Sequence, residues 1–389
     1  MDRLIRRFDS ERDADLRLCL HRGLAYQKDM KAGAIAYDDG YHDNYKALEG
    51  TPIAAALNNG RCAMLARHAA ERATVLDIGA GCGTFVRQAR ASGFAAKGFD
   101  VIHKTVEHLK GIDAFADNPD GFEVVTFWDS LEHIEDPEGV LKRINKGALV
   151  LAAIPVFEDL KKVRESKHYK PGEHLYYFTA QGFIEWMALY GFRLLEQSSH
   201  ETDAGRESIG AFAFRKDLPD YHDHILAYQE MHSTRFYGSS ATELHLGAAA
   251  QAVKALAPKS ILDYGCGRSD LASHFWLDGQ RRIERYDPAI PQYKRTPMGR
   301  FDLALCCDVL EHVPMASVDR VLAEIKEKSD RAFFTISTKL ARAKLPDGRN
   351  AHVTLLTAKE WKRWLSEVFG SVESMPSPFD HELVFLAGA

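Results

Sequence analysis

The sequence has few cysteines, and they do not form a metal-binding pattern. Only six occur in 389 residues, and no Cys-x-x-Cys pair is present. Zinc sites and disulfide frameworks need closely spaced or paired cysteines, so we expect neither. This usage of cysteine fits a reducing, cytoplasmic location best.

Long apolar runs and a strong excess of one charge are also missing. No run reaches the roughly eighteen apolar residues of a membrane span, and the first residues, MDRLIRR, lack the apolar stretch of a signal peptide. A formal net charge of −5 gives no overall attraction to phosphate backbones, although a local basic face stays possible. We therefore expect no membrane partner, while nucleic acid stays open as a partner.

What the sequence does contain is one pattern that occurs twice. Each copy has an aspartate before a glycine loop, an acidic residue at the end of the next strand, an Asp-x-x-Glu-His element and a later histidine. These landmarks are Asp77–Gly83, Asp100, Asp129–His133 and His174 in the first copy, and Asp263–Gly267, Asp287, Asp308–His312 and His352 in the second. Corresponding residues lie 178 to 187 positions apart, which is too long a period for a solenoid and indicates two tandem domains.

Around these landmarks, short β-rich runs alternate with helical segments, which is typical of βαβ units with a mostly parallel sheet. We predict an α/β fold with two Rossmann-like, doubly wound sheets in tandem, each with a helical N-terminal lead-in. The predicted segments are a helical N-terminal cap at 1–70, domain 1 at 71–216, a linker and helical lead-in at 217–256, and domain 2 at 257–389.

The second copy is shorter than the first between two of its landmarks. Asp100 and Asp129 are 29 positions apart, whereas Asp287 and Asp308 are only 21 apart. In a doubly wound sheet this region supplies a helix and the third strand beside the nucleotide. We therefore expect domain 2 to hold an adenosine group less completely, and to be partly degenerate.

The glycine loop favours a nucleoside ligand with a cationic tail. Glycines let the backbone approach a ligand, and an acid at the end of the next strand can accept hydrogen bonds from ribose hydroxyls. The Gly-x-Gly-x-x-Gly spacing of dinucleotide sites fails because position 84 is threonine, which disfavours an NAD-dependent oxidoreductase. The carboxylate of Asp77 would repel a pyrophosphate but can meet an amine.

With these motifs the sequence resembles the class I S-adenosylmethionine-dependent methyltransferases, over 75–214 and again over 261–385. The resemblance implies S-adenosylmethionine as cofactor. It assigns cofactor binding to Asp77, Gly79, Gly81, Gly83 and Asp100, and in the second copy to Asp263, Gly265, Gly267 and Asp287. Asp129 and Asp308 follow the next strand and are expected beside the same ligand. The second copy departs from the pattern, with Arg268-Ser269 where a third glycine is expected.

The Glu-His pairs are the candidate catalytic residues. Asp129, Glu132, His133 and His174 resemble the Glu-x-x-Glu-His motif with a later histidine of two metal-dependent groups, the ubiquinone-pathway O-methyltransferases and the small-RNA 3′-terminal 2′-O-methyltransferases. Three roles stay open: Glu132, His133 and His174 hold Mg²⁺ or another divalent ion that activates an acceptor hydroxyl, one histidine acts as general base, or the pair only orders its loop. Asp129 replaces the first Glu of the motif, and its side chain is shorter.

The second copy repeats this set as Asp308, Glu311, His312 and His352. Its segment 346–354 resembles uncharacterised methyltransferase-like proteins, many of them phage-encoded. Arg349 and Asn350 in this segment either hydrogen-bond a polar substrate or form a polar turn.

Aromatic residues near the candidate site have two interpretations. Tyr37, Tyr41 and Tyr45, together with 176–178, form either a lid that stacks on a planar substrate or ordinary core. Trp128 either borders the adenine or fills the core.

The sequence therefore predicts a methyltransferase with an oxygen acceptor on a small molecule, nucleotide or sugar, in which domain 1 is catalytic and domain 2 auxiliary. No Asn/Asp-Pro-Pro-Tyr element or Pro-Cys pair occurs, which argues against the amino-methylating and cytosine C5-methylating DNA enzymes. The alternative is a non-catalytic cofactor-binding scaffold or sensor in a larger assembly, with a phage-encoded assembly as one option. The pattern says nothing about oligomeric state.

Overall fold

The computed structural model describes residues 5–28, 40, 43, 46–116, 118, 120–234, 237–276 and 280–388. The contacts divide the chain into two compact units, Met1–Leu218 and Pro219–Ala389, and the division falls within the predicted linker. Three tyrosines of the predicted lid, Tyr37, Tyr41 and Tyr45, lie outside the described residues.

The first unit alternates strands and helices after an N-terminal group of strands. Its elements are β1 (Glu11–Asp13), β2 (Leu16–Cys19), β3 (Leu24–Gln27), α1 (Pro52–His68), β4 (Thr74–Ile78), α2 (Thr84–Ala91), β5 (Ala95–Phe99), α3 (His103–Gly111), β6 (Val124–Trp128), α4 (Pro137–Arg143), β7 (Leu149–Pro155), β8 (Tyr176–Phe178), α5 (Ala180–Leu189), β9 (Phe192–Ser198), α6 (His200–Asp203) and β10 (Ile209–Lys216). Short 3₁₀ turns lie at Ile5–Arg7, Leu20–Arg22, Leu131–His133 and Leu160–Glu165.

The main sheet of the first unit has the strand order β5-β4-β6-β7-β10-β9. The first four strands run parallel, and β10 is antiparallel to both of its neighbours. Every residue of β6 and β7 is buried, as expected for central strands covered by helices on both faces. This confirms the predicted doubly wound fold and brings the carboxyl ends of β4, β5 and β6 to one edge.

The N-terminal segment differs from the predicted helical cap. It contains the helix α1, which begins at Pro52 after the cap Thr51, but three strands precede it. These strands form an antiparallel sheet in the order β1-β2-β3-β8. All four residues of β3 are buried, because its far edge pairs with β8, about 150 residues away in the sequence.

The second unit repeats the main sheet. Its elements are α7 (Tyr221–Thr234), α8 (Ala241–Leu256), β11 (Ser260–Tyr264), β12 (Arg282–Tyr286), β13 (Leu303–Cys307), α9 (Val318–Lys328), β14 (Ala332–Ser337), α10 (Ala358–Phe369), β15 (Val372–Met375) and β16 (Glu382–Ala387), with 3₁₀ turns at Leu271–Phe275, Leu310–His312 and Met315–Ser317. The strand order β12-β11-β13-β14-β16-β15 matches the first unit strand for strand.

The shortening of the second copy removes a helix. In the first unit α3 follows Asp100, whereas the described residues from 287 to 302 form only turns. The expected third strand is reduced in the first unit to an isolated bridge between Gly98 and Phe115. A 3₁₀ turn, Leu271–Phe275, also stands where the first unit has the helix α2.

No helix in the described part of the chain has both the length and the apolar character needed to cross a membrane. All six cysteines are free thiols and are buried.

Candidate functional site

The first glycine loop connects β4 to α2 in a conformation that suits glycine. Gly79, Gly81 and Gly83 have φ angles of 80°, 54° and 76°. The N–H groups of Gly79 and Ala80 donate to the carbonyl of Phe99, at 2.9 and 3.1 Å. A Cβ at position 79 would lie 2.5 Å from the side chain of Ser130, so the close approach of these two loops requires glycine there.

Asp100 fixes this loop from the end of the neighbouring strand. Its Oδ2 accepts the N–H of Gly81 and its Oδ1 accepts the N–H of Ile102, both at 2.9 Å. The carboxylate therefore sets the shape of the loop, whatever ligand it also binds.

The second copy keeps this arrangement. Gly265 and Gly267 have φ angles of 73° and 53°, close to those of Gly79 and Gly81. The two oxygens of Asp287 accept N–H groups from Gly267 and Ala289, each at 2.8 Å. The glycine loop of domain 2 therefore has the geometry of the complete loop, although Arg268 and Ser269 replace the third glycine.

The aspartates before the glycine loops lie beneath them. Asp77 is buried and its Oδ1 accepts a hydrogen bond of 2.7 Å from the hydroxyl of Thr126. Burial raises the pKa of Asp77 to about 7 and that of Asp263 also to about 7. Both carboxyls therefore change charge near neutral pH, and a cationic group above the loop would favour their ionised form.

Asp129 is held by arginines of its own domain. It has a φ of 58°, and its two oxygens accept hydrogen bonds of 2.7 and 2.8 Å from the two terminal nitrogens of Arg206. Arg61, on α1, adds a third contact at 3.3 Å. The resemblance to the four-residue metal motif extends to Asp129, but two guanidiniums bind its carboxylate, and the ligand atoms that converge are those of Glu132, His133 and His174 without it.

Glu201 completes this ionic cluster. Its buried carboxylate accepts Arg61 Nε at 2.7 Å and Arg206 Nη1 at 2.8 Å. Burial alone would raise its pKa, but the contact with His200 and the two guanidiniums bring the pKa far below its usual range. Sequence reasoning missed Arg61, Glu201 and Arg206, because a single charged residue on a helix or hairpin gives no periodic signal.

Domain 2 has a related bridge built with histidine. His245, on α8, contacts Asp308 Oδ2 with Nε2 at 2.7 Å and Glu382 Oε2 with Nδ1 at 3.5 Å. Burial would lower its pKa, but the hydrogen bond to Asp308 and the nearby carboxylate of Glu382 raise it to about 9. Arg61 and His245 are 184 positions apart, so aligning the lead-in helices of the two copies could have revealed this pair.

We expect Arg206→Ala to destabilise domain 1 by about 1.5–3 kcal/mol, since Arg61 is then the one guanidinium that contacts Asp129 and Glu201 among the described residues. Arg206→Lys keeps the charge but loses the bidentate contact with Asp129, so we expect an intermediate loss of stability. Urea unfolding measures both. The control is Arg193→Ala, which breaks an exposed pair with Asp217 and should cost under about 1 kcal/mol. Equal effects of Arg206→Ala and Arg193→Ala would contradict this prediction.

The structure brings Glu132, His133 and His174 together. They offer ligand atoms within 4.8 Å of one another, and the two imidazole rings lie 4.7 Å apart at 77°. The N–H of Leu175 donates to the carbonyl of Glu132 at 2.8 Å, which joins the two loops that carry the histidines. Among the described residues, the two carboxylate oxygens of Glu132 have no hydrogen-bond partner, and neither does the Nδ1 of His174.

Burial disfavours the charged form of each of these groups. It raises the pKa of Glu132 well above the usual value, with the nearby Asp129 adding to the effect. It lowers the pKa of His133, and it lowers that of His174 to about 3 with help from His133. The two imidazoles therefore present lone pairs at neutral pH, and a general base with so low a pKa as that of His174 would be weak.

Domain 2 repeats this group as Glu311, His312 and His352, with the imidazole rings again 4.7 Å apart, at 75°. Nδ1 of His312 contacts the carbonyl of Ala351 at 3.0 Å, and Nδ1 of His352 contacts the carbonyl of Lys339 at 2.6 Å. A carbonyl oxygen can only accept, so each Nδ1 carries the hydrogen and each Nε2 keeps its lone pair.

The polar side chains of the segment 346–354 form hydrogen bonds that stabilise the loop around it. Arg349 pairs with Asp347 and contacts His224 at 2.6 Å. The amide of Asn350 closes the loop through two hydrogen bonds with the backbone of Ala341. Of the two interpretations of this segment, these contacts favour the polar turn.

The aromatic residues after His174 belong to the core. Tyr176, Tyr177 and Phe178 form β8 and are each at most 2% exposed. Trp128 is also buried, with its ring edge-on to Phe85 and the guanidinium of Arg61 4.9 Å from its centre.

Comparison with known families agrees with this fold and these motifs. A family model described as "Methyltransferase domain" matches the chain twice, over residues 55–197 and 241–369, which together make up more than half of its length. The chain belongs to this methyltransferase family and contains its domain in two copies. The predicted class, an S-adenosylmethionine-dependent methyltransferase with a tandem domain, is thereby confirmed.

Solved structures with a similar fold cover about half of the chain. A Haloferax volcanii methyltransferase, in complex with the Trm112 activator, is 15% identical, with a TM-score of 0.37 over 47% of this chain and 97% of its own. The Burkholderia thailandensis 1,6-didemethyltoxoflavin-N1-methyltransferase, with bound S-adenosylhomocysteine, is 15% identical, with a TM-score of 0.36 over 46% and 84%. The magnesium protoporphyrin IX methyltransferase of Synechocystis PCC 6803 is 13% identical, with a TM-score of 0.36 over 46% and 95%. A search of curated protein sequences finds no match.

Proposed function

We propose that domain 1 transfers the methyl group of S-adenosylmethionine to an oxygen of a small-molecule, nucleotide or sugar acceptor, and that domain 2 is auxiliary. The observation that carries the proposal is that the loop of Gly79, Gly81 and Gly83 and the group of Glu132, His133 and His174 both follow carboxyl ends of parallel strands. Cofactor and acceptor would then meet at this edge, where alignment of the acceptor with the methyl group supplies much of the rate.

In this proposal the glycine loop and Asp100 hold the cofactor, with the backbone in contact with its methionine part and the carboxylate near its ribose. Asp77 balances the charge of its amine from below the loop. Asp129, held by its arginines, forms the wall next to the sulfonium. The corresponding residues of domain 2, which are Asp263, Gly265, Gly267, Asp287 and Asp308, bind the same class of ligand.

The residues of the Glu-His group fit a divalent cation. The carboxylate of Glu132 is buried without a hydrogen-bond partner among the described residues, which is costly unless a cation neutralises it. His133 and His174 offer neutral imidazoles, which are good ligands for such ions. A bound ion would lower the pKa of an acceptor hydroxyl, while the role of the three side chains is to hold it beside the cofactor.

Titration of the full chain with S-adenosylhomocysteine tests the proposal. We expect two sites, of which Asp100→Ala weakens one at least tenfold and Asp287→Ala weakens the other, because each carboxylate shapes its glycine loop. Asp120→Ala, which removes an exposed partner of Arg143, should leave both sites intact. Absence of binding by the wild-type chain, or equal binding of NAD, would contradict the assignment.

The second candidate is a cofactor-binding scaffold or sensor without turnover. The loss of the helix after Asp287 in domain 2 favours it, because less of the protein then surrounds the adenosine. Cofactor binding without methyl transfer to any acceptor, and unchanged biological function after a variant that abolishes binding, would support this candidate. The cytoplasmic location and the relation of domain 2 to phage-encoded proteins stay predictions.

A further inference from the structure

Domain 2 contains a large cavity above its glycine loop. Its volume is about 750 Å³, and its lining includes Gly265, Asp287, Asp308, His312 and His352. This volume lies within the range of small-molecule sites and exceeds the needs of one short side chain or a few waters. The residues that correspond to the candidate site of domain 1 therefore border an open space.

This cavity is lined by carboxylates near the glycine loop and the histidine pair, including Glu311 and Glu382, and by two cations on the loop after β14. On the side of the glycine loop, Asp287 accepts backbone N–H groups and Asp308 contacts His245, so these carboxylates already have partners. On the side of His352, the loop after β14 carries Lys339 and Arg342, which are exposed and line the cavity. Among the described residues neither side chain has a hydrogen-bonding or ion-pairing partner. Two unpaired cations on a cavity wall favour an anionic group of a ligand.

The space between these regions is bordered by rings. Tyr228, Tyr237, His312 and Phe379 all line the cavity. The hydroxyl of Tyr228 donates to the carbonyl of Ala351 at 2.7 Å, and its ring meets that of His312 edge-on at 5.5 Å. Tyr237 approaches the same imidazole at 6.4 Å between ring centres. Such a border suits a flat ring, and the Nε2 lone pairs of the histidines suit donor groups on that ring.

In the corresponding loop of domain 1 one arginine is neutralised by carboxylates. There Arg164, which follows β7, pairs with Asp13 and Asp15 from the N-terminal strands. Among the described residues of the second unit, only the helices α7 and α8 precede β11, so no such strands supply carboxylates to Lys339 and Arg342. Arg342 thus differs from Arg164 in having no carboxylate partner among the described residues.

We propose that the cavity of domain 2 binds a flat aromatic or heteroaromatic molecule that carries a phosphate or carboxylate group, with Lys339 and Arg342 holding the anion. The ring lies among Tyr228, Tyr237 and Phe379, and the Nε2 atoms of the histidine pair accept hydrogen bonds from its donors. Binding of an adenosyl group on the glycine-loop side rests on the proposed function, whereas the anion site does not. Domain 2 thus contributes its own ligand to the activity of the chain.

The test is calorimetric titration of the full chain with phenyl phosphate, benzoate and phenol, at about 150 mM salt so that general charge attraction is screened. We expect phenyl phosphate or benzoate to bind at least tenfold tighter than phenol. Comparing phenyl phosphate with benzoate shows whether the site prefers a phosphate or a carboxylate group. Combining Lys339→Ala and Arg342→Ala should remove this preference. Combining Lys339→Arg and Arg342→Lys should retain most of it, and Lys254→Ala, on the exposed face of α8, should change nothing.

Binding of phenol as tight as that of both phenyl phosphate and benzoate, or a preference for anions that survives the double alanine variant, would overturn the proposal. The exposed positions of Lys339 and Arg342 predict an unchanged melting temperature for the variants, which confirms that they fold. Titration with S-adenosylhomocysteine is run in parallel. If that compound fails to bind while the anion preference depends on Lys339 and Arg342, the proposed function fails and the anion site stands; the opposite pair of results rejects only the anion site.

Discussion

Replacement of Gly81 by alanine is expected to lower the affinity of domain 1 for S-adenosylhomocysteine at least 100-fold while domain 1 stays folded. Gly81 has a φ of 54°, and a Cβ there would meet no atom of the described residues within 4 Å. The substitution should therefore lower the free energy of unfolding by only about 1–2 kcal/mol, which is the cost of a left-handed backbone conformation for alanine. The new methyl group would project into the space above the loop, where the proposed cofactor lies against the backbone.

Gly93→Ala is the matched control for this variant. Gly93 has a φ of 92° and also opens onto space that the described residues leave free, but it lies in the turn before β5, away from the glycine loop. Both variants should lower the melting temperature by a few degrees, and only Gly81→Ala should lose binding, as calorimetry measures. If Gly81→Ala binds like the wild type, the cofactor does not contact this loop. If Gly93→Ala loses binding as well, the effect is one of stability.

The main sheets were predictable because local patterns dictate them. The strands Val124–Trp128 and Leu149–Pro155 are continuous apolar runs, which are typical of buried parallel strands. The strands Leu16–Cys19 and Leu24–Gln27 were not predicted. Their stability depends on pairing with Tyr176–Phe178, and contacts over such a distance leave no trace in a window of neighbouring residues.

The candidate site was predictable where a motif combined with the topology of the sheet. Glu132 and His174 lie 42 positions apart, yet each follows a strand of the same sheet, and the structure brings their side chains together. The position of Asp129 was not predictable, because it depends on Arg61 and Arg206 from distant parts of the sequence. Ion pairs of this kind are decided by tertiary geometry rather than by spacing.

The shortened second copy shows that sequence length alone is a poor guide to a site. The loss of eight residues removes a helix, as expected, but Gly265 and Gly267 keep the backbone angles of the first loop, and Asp287 keeps both of its hydrogen bonds. The open cavity and its two unpaired cations could not be predicted, because they depend on which neighbouring strands are missing.

Glu132→Gln is expected to remove one divalent ion per chain. The wild-type chain, saturated with Mn²⁺, should unfold at a higher temperature than in chelator, by an amount equivalent to about 2.7 kcal/mol at an ion concentration 100 times the dissociation constant. The variant should lose this gain for domain 1, because an amide is a much poorer ligand than a carboxylate. Equilibrium dialysis counts the ions and calorimetry gives the unfolding temperature, so neither measurement requires the acceptor to be known.

In chelator the same variant should be at least as stable as the wild type. The carboxylate of Glu132 is buried without a hydrogen-bond partner among the described residues, so replacing it with a neutral amide removes a desolvation cost. Glu185→Gln, on the exposed face of α5, should change neither ion count nor stability. If the wild type binds no Mn²⁺ and Glu132→Gln is destabilised in chelator, then Glu132 is a structural residue and the loop-ordering interpretation is correct. A variant that is stable in chelator but is no longer stabilised by Mn²⁺ would instead show that Glu132 lowers the stability of the ion-free protein and that its role is to hold the ion.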